Sequence, residues 1–190
     1  MAYVRRASFL PFTRPVIGQE EIDELIDSIQ SGWITTGPKA ARFEQELAAY
    51  NRVPFCMAVS SATAAQEIAL QALGLAPGDE VITSPMTWVS TLSTIVLQGG
   101  IPVLVDMKAD TMNLDPDGLE AAITPRTKGI VPVHFAGLPC EMDRIWQIAE
   151  RHGLWVMDDA AQAMGATYRG RRIGEDPRSG FVYYSFPPNK

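Results

Sequence analysis

Residues 142–162 read MDRIWQIAERHGLWVMDDAAQ: a helical stretch from Met142 to His152, a short apolar run from Leu154 to Met157, then Asp158 and Asp159, followed by Ala160, Ala161 and Gln162. The apolar run is nearly continuous rather than alternating, which suits a parallel strand covered on both faces. Outward from this stretch the same unit recurs. Helical patterns around Trp88 to Leu97 and from Pro116 to Ile123 precede expected strands at Val103 to Asp106 and Gly129 to Val133. Upstream, Phe55 to Val59 reads as a strand, Thr63 to Leu73 as a helix ended by Gly74, and Glu80 to Thr83 as a strand after the Pro77-Gly78-Asp79 turn. Downstream, Tyr168 to Ile173, centred on Gly170, reads as a tight turn between short extended pieces, and Phe181 to Phe186 as a final strand. Sequential strand–helix–strand units with right-handed crossovers predict a three-layer, mostly parallel α/β sheet.

Ahead of these units, Ile22, Leu25, Ile26 and Ile29 repeat at helical spacing behind the acidic pair Glu20 and Glu21, and Gly32 is placed to close that helix. After the loop Trp33 to Gly37, Pro38 starts a second helix with Phe43, Leu47 and Tyr50 on one face. The expected division is residues 1–37 as an N-terminal helix and loop, and 38–190 as a large domain. A parallel strand is normally followed by the crossover that covers it, so the large domain is expected to be incomplete at Lys190, with a C-terminal domain absent.

The 190 residues carry 16 Lys and Arg against 22 Asp and Glu, a net charge of −6, which argues against a general nucleic-acid or anionic-membrane binder. A hydrophobic share of 46% with 20% charged residues is that of an ordinary soluble globule. No apolar run approaches the ~18 residues of a membrane span, and the start lacks a secretory h-region, so a cytoplasmic location is expected. Cys56 and Cys140 have no ligand spacing, and they read as small buried hydrophobes in a reducing compartment. His134 and His152 form no metal constellation and read as structural. No metal is expected.

Ligands of an open parallel sheet bind beyond the carboxyl ends of its strands, so the residues just after each strand carry the chemistry. After Val59, the small residues Ser60 to Ala65 lead into a helix whose first N–H groups and dipole form an anion site, while Thr63-x-x-Gln66 equally fits a capping box. Trp88 brings an indole near the same rim, either to stack on a planar ligand or to join the core. Asp158 and Asp159 need a cation or a helix to cap. Lys190 follows the last strand as either a Schiff-base lysine or a solvated one. Taken together, a phosphate at Thr63 and Ser185, a ring under Trp88, a ring cation at Asp159 and an aldehyde for Lys190 describe pyridoxal phosphate and amino transfer. A nicotinamide-binding domain is excluded, because no GxGxxG follows the first parallel strand.

These residues resemble the DegT/DnrJ/StrS sugar aminotransferases of fold type I. The likeness runs along essentially the whole chain, through Gly32-Trp33-Ile34-Thr35-Thr36-Gly37-Pro38, Val59-Ser60-Ser61-Ala62-Thr63-Ala64, Met86-Thr87-Trp88-Val89-Ser90-Thr91, Val131-Pro132-Val133-His134, Asp159-Ala160-Ala161 and Ser185-Phe186 with Lys190. The resemblance implies pyridoxal phosphate as cofactor. It puts Ala62, Thr63 and Ser185 on phosphate-binding positions, Trp88 on the ring-stacking position, Asp159 on the pyridinium partner, Gln162 on a polar cofactor contact and Lys190 on the Schiff-base lysine. It further implies a substrate mouth at Gly32 to Gly37, a homodimer, and transfer from glutamate to a nucleotide-linked keto sugar for cell-surface polysaccharide or lipid A sugars. Family members run to about twice this length, so a truncated, non-catalytic fragment of the family is the alternative expectation.

Overall fold

The computed structural model describes residues 8–11 and 14–187. Two helices open it. In α1 (Gln19–Ser31) the Gly18 N–H donates to Glu21 at 2.6 Å, and the helix stops where Gly32 takes φ 73°, a left-handed value that a Cβ would penalise. α2 (Pro38–Asn51) begins on Pro38, whose missing N–H is no loss at a first helical position. No side chain of α1 is buried: Ile22, Leu25, Ile26 and Ile29 stay exposed, and the ion pairs Lys39–Asp27 and Arg42–Glu24 tie the helix to α2. Between the two helices Trp33 folds back on its own loop, donating from Nε1 to Thr36 O at 3.1 Å. A Cβ on Gly37 would lie 1.9 Å from that indole, so any larger residue there would displace it.

α3 (Ala62–Ala72) leads to β1 (Glu80–Thr83), then α4 (Val89–Leu97), β2 (Ile101–Leu104), the single-turn α5 (Leu119–Ala122), β3 (Thr127–Val131), α6 (Met142–His152) and β4 (Trp155–Asp159). A two-stranded hairpin follows, β5 (Thr167–Tyr168) with β6 (Arg171–Arg172), and β7 (Phe181–Tyr183) completes a five-stranded, all-parallel sheet of order β2-β1-β3-β4-β7. Successive side chains of the central strands enter two cores. Val81, Val131 and Met157 pack with Ala69, Leu70, Ile95 and Tyr183 under α3 and α4. Ile82, Ile130 and Val156 pack with Met142, Ile145 and Ile148 under α6. Burial of each such aliphatic side chain contributes about 1.5–3 kcal/mol. The continuous apolar runs are thus explained by helices on both faces.

The chain steps from β1 outward to β2 and then returns past β1 to β3, so the winding reverses between β1 and β3. Beyond the carboxyl ends at such a reversal lies the crevice in which open α/β sheets bind ligands.

Several expectations shift. Residues 55–59 form no strand: Phe55 and Met57 are exposed, and the Ala58 N–H goes to the Glu44 carboxylate at 2.8 Å instead of to a ladder. Apolar content favours extension, but a strand exists only with a neighbour to pair with, and among the described residues none lies beside it. The strands expected at 103–106 and 129–133 begin two residues earlier, because the register aligns Ile101 and Thr127 with Glu80. The helix expected over 116–123 is split into a 3₁₀ turn, Pro116–Gly118, and the single α-helical turn of α5. The last strand stops at Tyr183 rather than Phe186, where its pairing to β4 ends.

Candidate functional site

The N-terminus of α3 is built differently from the expected capping box. Ser61, not Thr63, is the N-cap, and its Oγ accepts the Ala64 N–H at 3.1 Å. Gln66 turns inward, 2% exposed, where Thr94 Oγ1 stands 3.3 Å from its Oε1. Ala62 and Thr63 sit in the first turn, and among the described residues neither N–H has a hydrogen-bond partner. Two free amides at the positive end of an eleven-residue helix, among side chains no larger than threonine, favour an anion.

β4 ends in the two acids, and the pleat sends them to opposite faces. Asp158, 1% exposed, turns toward α6: Ser179 Oγ donates to its Oδ1 at 2.9 Å, and Trp146 Nε1 donates to Ser179 Oγ at 3.0 Å. His134 Nδ1 accepts the Cys140 N–H at 3.1 Å, which leaves the ring proton on Nε2, 3.5 Å from Asp158 Oδ2. This face also carries a cavity of about 220 Å³ under the β5–β6 hairpin, where Asp176 pairs with Arg171 and Arg178.

Asp159, 5% exposed, turns toward α3 and α4. Its Oδ1 accepts the Ala161 N–H at 3.1 Å, and its Oδ2 faces the Thr91 hydroxyl at 3.3 Å, which in turn accepts from Thr87 Oγ1 at 2.8 Å. Burial pushes the Asp159 carboxyl above the usual range, opposed only in part by these donors. Among the described residues no lysine or arginine pairs with it. A desolvated carboxylate held by neutral donors at the rim of a crevice has the chemistry to take a cation.

The other expected residues fall around this point. Trp88 is the N-cap residue of α4, 72% exposed and outside the core. Gln162 lies in the turn after β4, where its Oε1 accepts the Ala136 N–H at 2.7 Å and so leaves its amide NH2 to be offered outward. Ser185 is half-buried just beyond β7. Lys190 lies outside the described residues. Ala62, Thr63, Trp88, Asp159, Gln162 and Ser185 therefore all stand beyond the carboxyl ends of strands or at the starts of the helices packed there. Sequence reading missed Thr87, Thr91 and Tyr183. The first two carried a signal, two hydroxyls four residues apart at the start of a helix, whereas Tyr183 reaches Asp159 only through strand register. Cys56 is half-buried rather than buried, Cys140 is buried with its thiol pushed far up by desolvation, and His152 pairs with Glu120 on the surface. Among the described residues, no three His, Cys, Asp or Glu side chains gather as a metal site, and no helix is long and apolar enough to cross a membrane.

A doubly wound parallel sheet with this rim has the architecture of the sugar aminotransferases. The chain belongs to the DegT/DnrJ/EryC1/StrS aminotransferase family, whose profile matches residues 15–190. It is 49% identical over 182 residues to the spore coat polysaccharide biosynthesis protein SpsC of Bacillus subtilis (strain 168), covering 95% of this chain and 47% of SpsC. Spr1654 of Streptococcus pneumoniae, assigned as a sugar aminotransferase and solved in a PLP form, superposes with a TM-score of 0.90 at 40% identity, over 95% of this chain and 50% of its own. DesI, solved in the presence of its TDP-sugar product, superposes at 0.85 with 34% identity, over 95% of this chain and 46% of its own. The chain spans about half the length of the relatives it matches.

Proposed function

We propose that this chain is the cofactor-binding half of a pyridoxal-phosphate aminotransferase that moves an amino group from glutamate to a nucleotide-linked keto sugar. The observation that carries the reading is Asp159: a buried carboxylate with neutral donors on both oxygens and, among the described residues, no lysine or arginine paired with it, on the rim that also holds the free amides of α3. The residues fit the cofactor, since that carboxylate matches a protonated ring nitrogen and the amides a phosphate. When bound, pyridoxal phosphate supplies an electron sink for the substrate carbon that gains or loses a proton.

In this reading each residue has a defined task. Ala62 and Thr63 N–H groups, with Ser185, bind the phosphate. Trp88 lays its exposed indole along the ring, and Gln162 offers its amide NH2 to a ring oxygen. Asp159 keeps the ring nitrogen protonated, and Lys190 holds the cofactor covalently and moves the proton through its Nζ. The name of SpsC and the TDP-sugar product of DesI support a nucleotide-linked sugar destined for a surface polysaccharide. The exposed apolar side chains of α1 and α4 support a homodimer, and we assign the protein to the cytoplasm.

Borohydride reduction of the cofactor-loaded, full-length protein tests the reading. The wild type should retain a reduced adduct at residue 190, and Lys190→Ala should lose it. An adduct of equal yield at another lysine sinks the assignment.

A further inference from the structure

Among the described residues, two buried side-chain polar atoms lack a hydrogen-bond partner, His134 Nε2 and the Tyr183 hydroxyl, and they flank the two adjacent acids of β4. The first stands 3.5 Å from Asp158 on the α6 face. The second needs an explanation, because orphaned buried hydroxyls are rare and costly. Tyr183 is 4% exposed, and its ring packs with Ala69, Leu70, Ile95 and Met157. Phenylalanine would fill that core without leaving a polar atom unpaired. The hydroxyl is therefore placed for something other than packing.

Register decides where it points. β4 and β7 run parallel with Asp159 opposite Tyr183, so both side chains leave the sheet on the same face, and the Ala160 N–H donates to Tyr183 O at 3.0 Å, locking the two strands at that level. The hydroxyl comes to lie beside Asp159, Thr91 and Gln66 without closing a hydrogen bond of good geometry to any of them. A carboxylate accepts about four hydrogen bonds. On Asp159, Ala161 takes one position and Thr91 another, which leaves room for a ligand cation and one more donor.

We propose that Tyr183 is a positioning residue for Asp159: its O–H closes onto the carboxylate when a cationic ring nitrogen engages it, fixing the carboxylate's rotamer and keeping it ionised. This rests on the reading of Asp159 as the partner of the cofactor's ring. Burial and the neighbouring carboxylate push the Tyr183 hydroxyl well above the ordinary tyrosine range, so it is a permanent donor and never a competing anion. The titratable groups that act on Asp159 are Tyr183 from β7 and His134 from the turn after β3, while α3 and α4 bring only neutral Gln66 and Thr91 to this cluster.

The test uses the full-length protein stripped of cofactor, with pyridoxamine phosphate titrated calorimetrically across the pH range for the wild type, Tyr183→Phe and a protein carrying 3,5-difluorotyrosine at position 183. A donor that holds Asp159 ionised sets where binding fails in acid. Tyr183→Phe should move that acid limb upward by about one pH unit and weaken binding about tenfold on the plateau. The difluorinated side chain, a stronger donor, should move the limb downward. Because Tyr183→Phe removes only an unpaired hydroxyl, it should melt no lower than the wild type. If both variants reproduce the wild-type limb and plateau, the tyrosine is a packing residue and the inference falls alone. A wild type that does not bind pyridoxamine phosphate overturns the reading of the site and this inference with it.

Discussion

Asp158 and Asp159 are joined by one peptide bond, yet the two faces of the sheet treat them differently. On the α6 face Asp158 receives the Ser179 hydroxyl and faces the His134 ring, while nearby Asp176 is held down at about 2 by Arg178 and Arg171. On the α3–α4 face Asp159 has, among the described residues, neutral donors only, and burial pushes its carboxyl up. One face therefore settles its acids with the chain's own side chains, and on the other, in the proposed function, the partner of Asp159 is a cation brought by the cofactor. If the proposed function holds, what separates the structural carboxylate from the functional one is the identity of its partners, since both are buried, 1% and 5% exposed.

Exchanging the two acids for amides, one at a time, is the strongest way to break this comparison. In the cofactor-loaded full-length protein, Asp159→Asn should lower turnover by about 10³-fold, on the order of 4 kcal/mol of transition-state stabilisation, because an amide cannot hold the ring nitrogen protonated. Its cofactor-free melting temperature should equal or exceed that of the wild type, since a desolvation penalty has been removed. Asp158→Asn turns an amide NH2 toward the His134 N–H and should cost about 1–3 kcal/mol of stability, with turnover within about tenfold of wild type. Steady-state kinetics and thermal melts separate the outcomes. If the two variants exchange phenotypes, the faces have been assigned the wrong way round.

Much of this contrast was legible in the sequence. The apolar run Leu154 to Met157 with two acids behind it put a carboxylate at the end of a strand, and Met142–His152 and Glu80–Thr83 appear with the expected ends, because each carries its own periodicity and its own stop signal. Phe55 to Val59 carries the same apolar content and is not a strand, because pairing is a property of two segments and only one of them can be read locally. Thr63-x-x-Gln66 satisfied a capping rule that Ser61 fulfils two residues earlier, which frees Gln66 for the buried contact with Thr94. Tyr183 was read only as part of an apolar strand. Its position opposite Asp159 depends on the register between β4 and β7, set by residues more than twenty positions apart.

The faces should also titrate with opposite signs. Asp176 has a folded pKa of about 2 against an ordinary 3.8, so its ion pairs stabilise above pH 3.8, and that stability is lost as the pH falls from about 4 through about 2. With its arginine partners exposed to solvent, the contribution is about 1 kcal/mol, and Asp176→Asn should remove this acid slope. Asp159 is raised instead, so the cofactor-free protein loses stability as the pH rises above 3.8 toward the folded pKa, and Asp159→Asn should flatten that part of the curve. Denaturant melts of the cofactor-free protein between pH 2 and 8 read both slopes. Slopes of one sign for both residues would remove the distinction between the faces.

The smallest effect sharpens the comparison most, because it touches a hydroxyl and leaves both acids in place. Thr91→Val keeps the shape of the side chain but removes the hydroxyl that faces Asp159 and accepts from Thr87. At 3.3 Å the contact is long and contributes about 1 kcal/mol, the typical net value of a hydrogen bond, so pyridoxamine phosphate should bind about fivefold more weakly. Its matched control on the other face is Ser179→Ala, which strips Asp158 of a donor in the same way. There the loss should appear in the melting curve and leave the affinity unchanged, because Asp158 has no ligand to hold. Equal losses of affinity in the two variants would mean that the acids act as one coupled unit through the backbone of β4. Unequal losses, in the stated direction, would mean that a single peptide bond separates a carboxylate that builds the fold from one that serves the site.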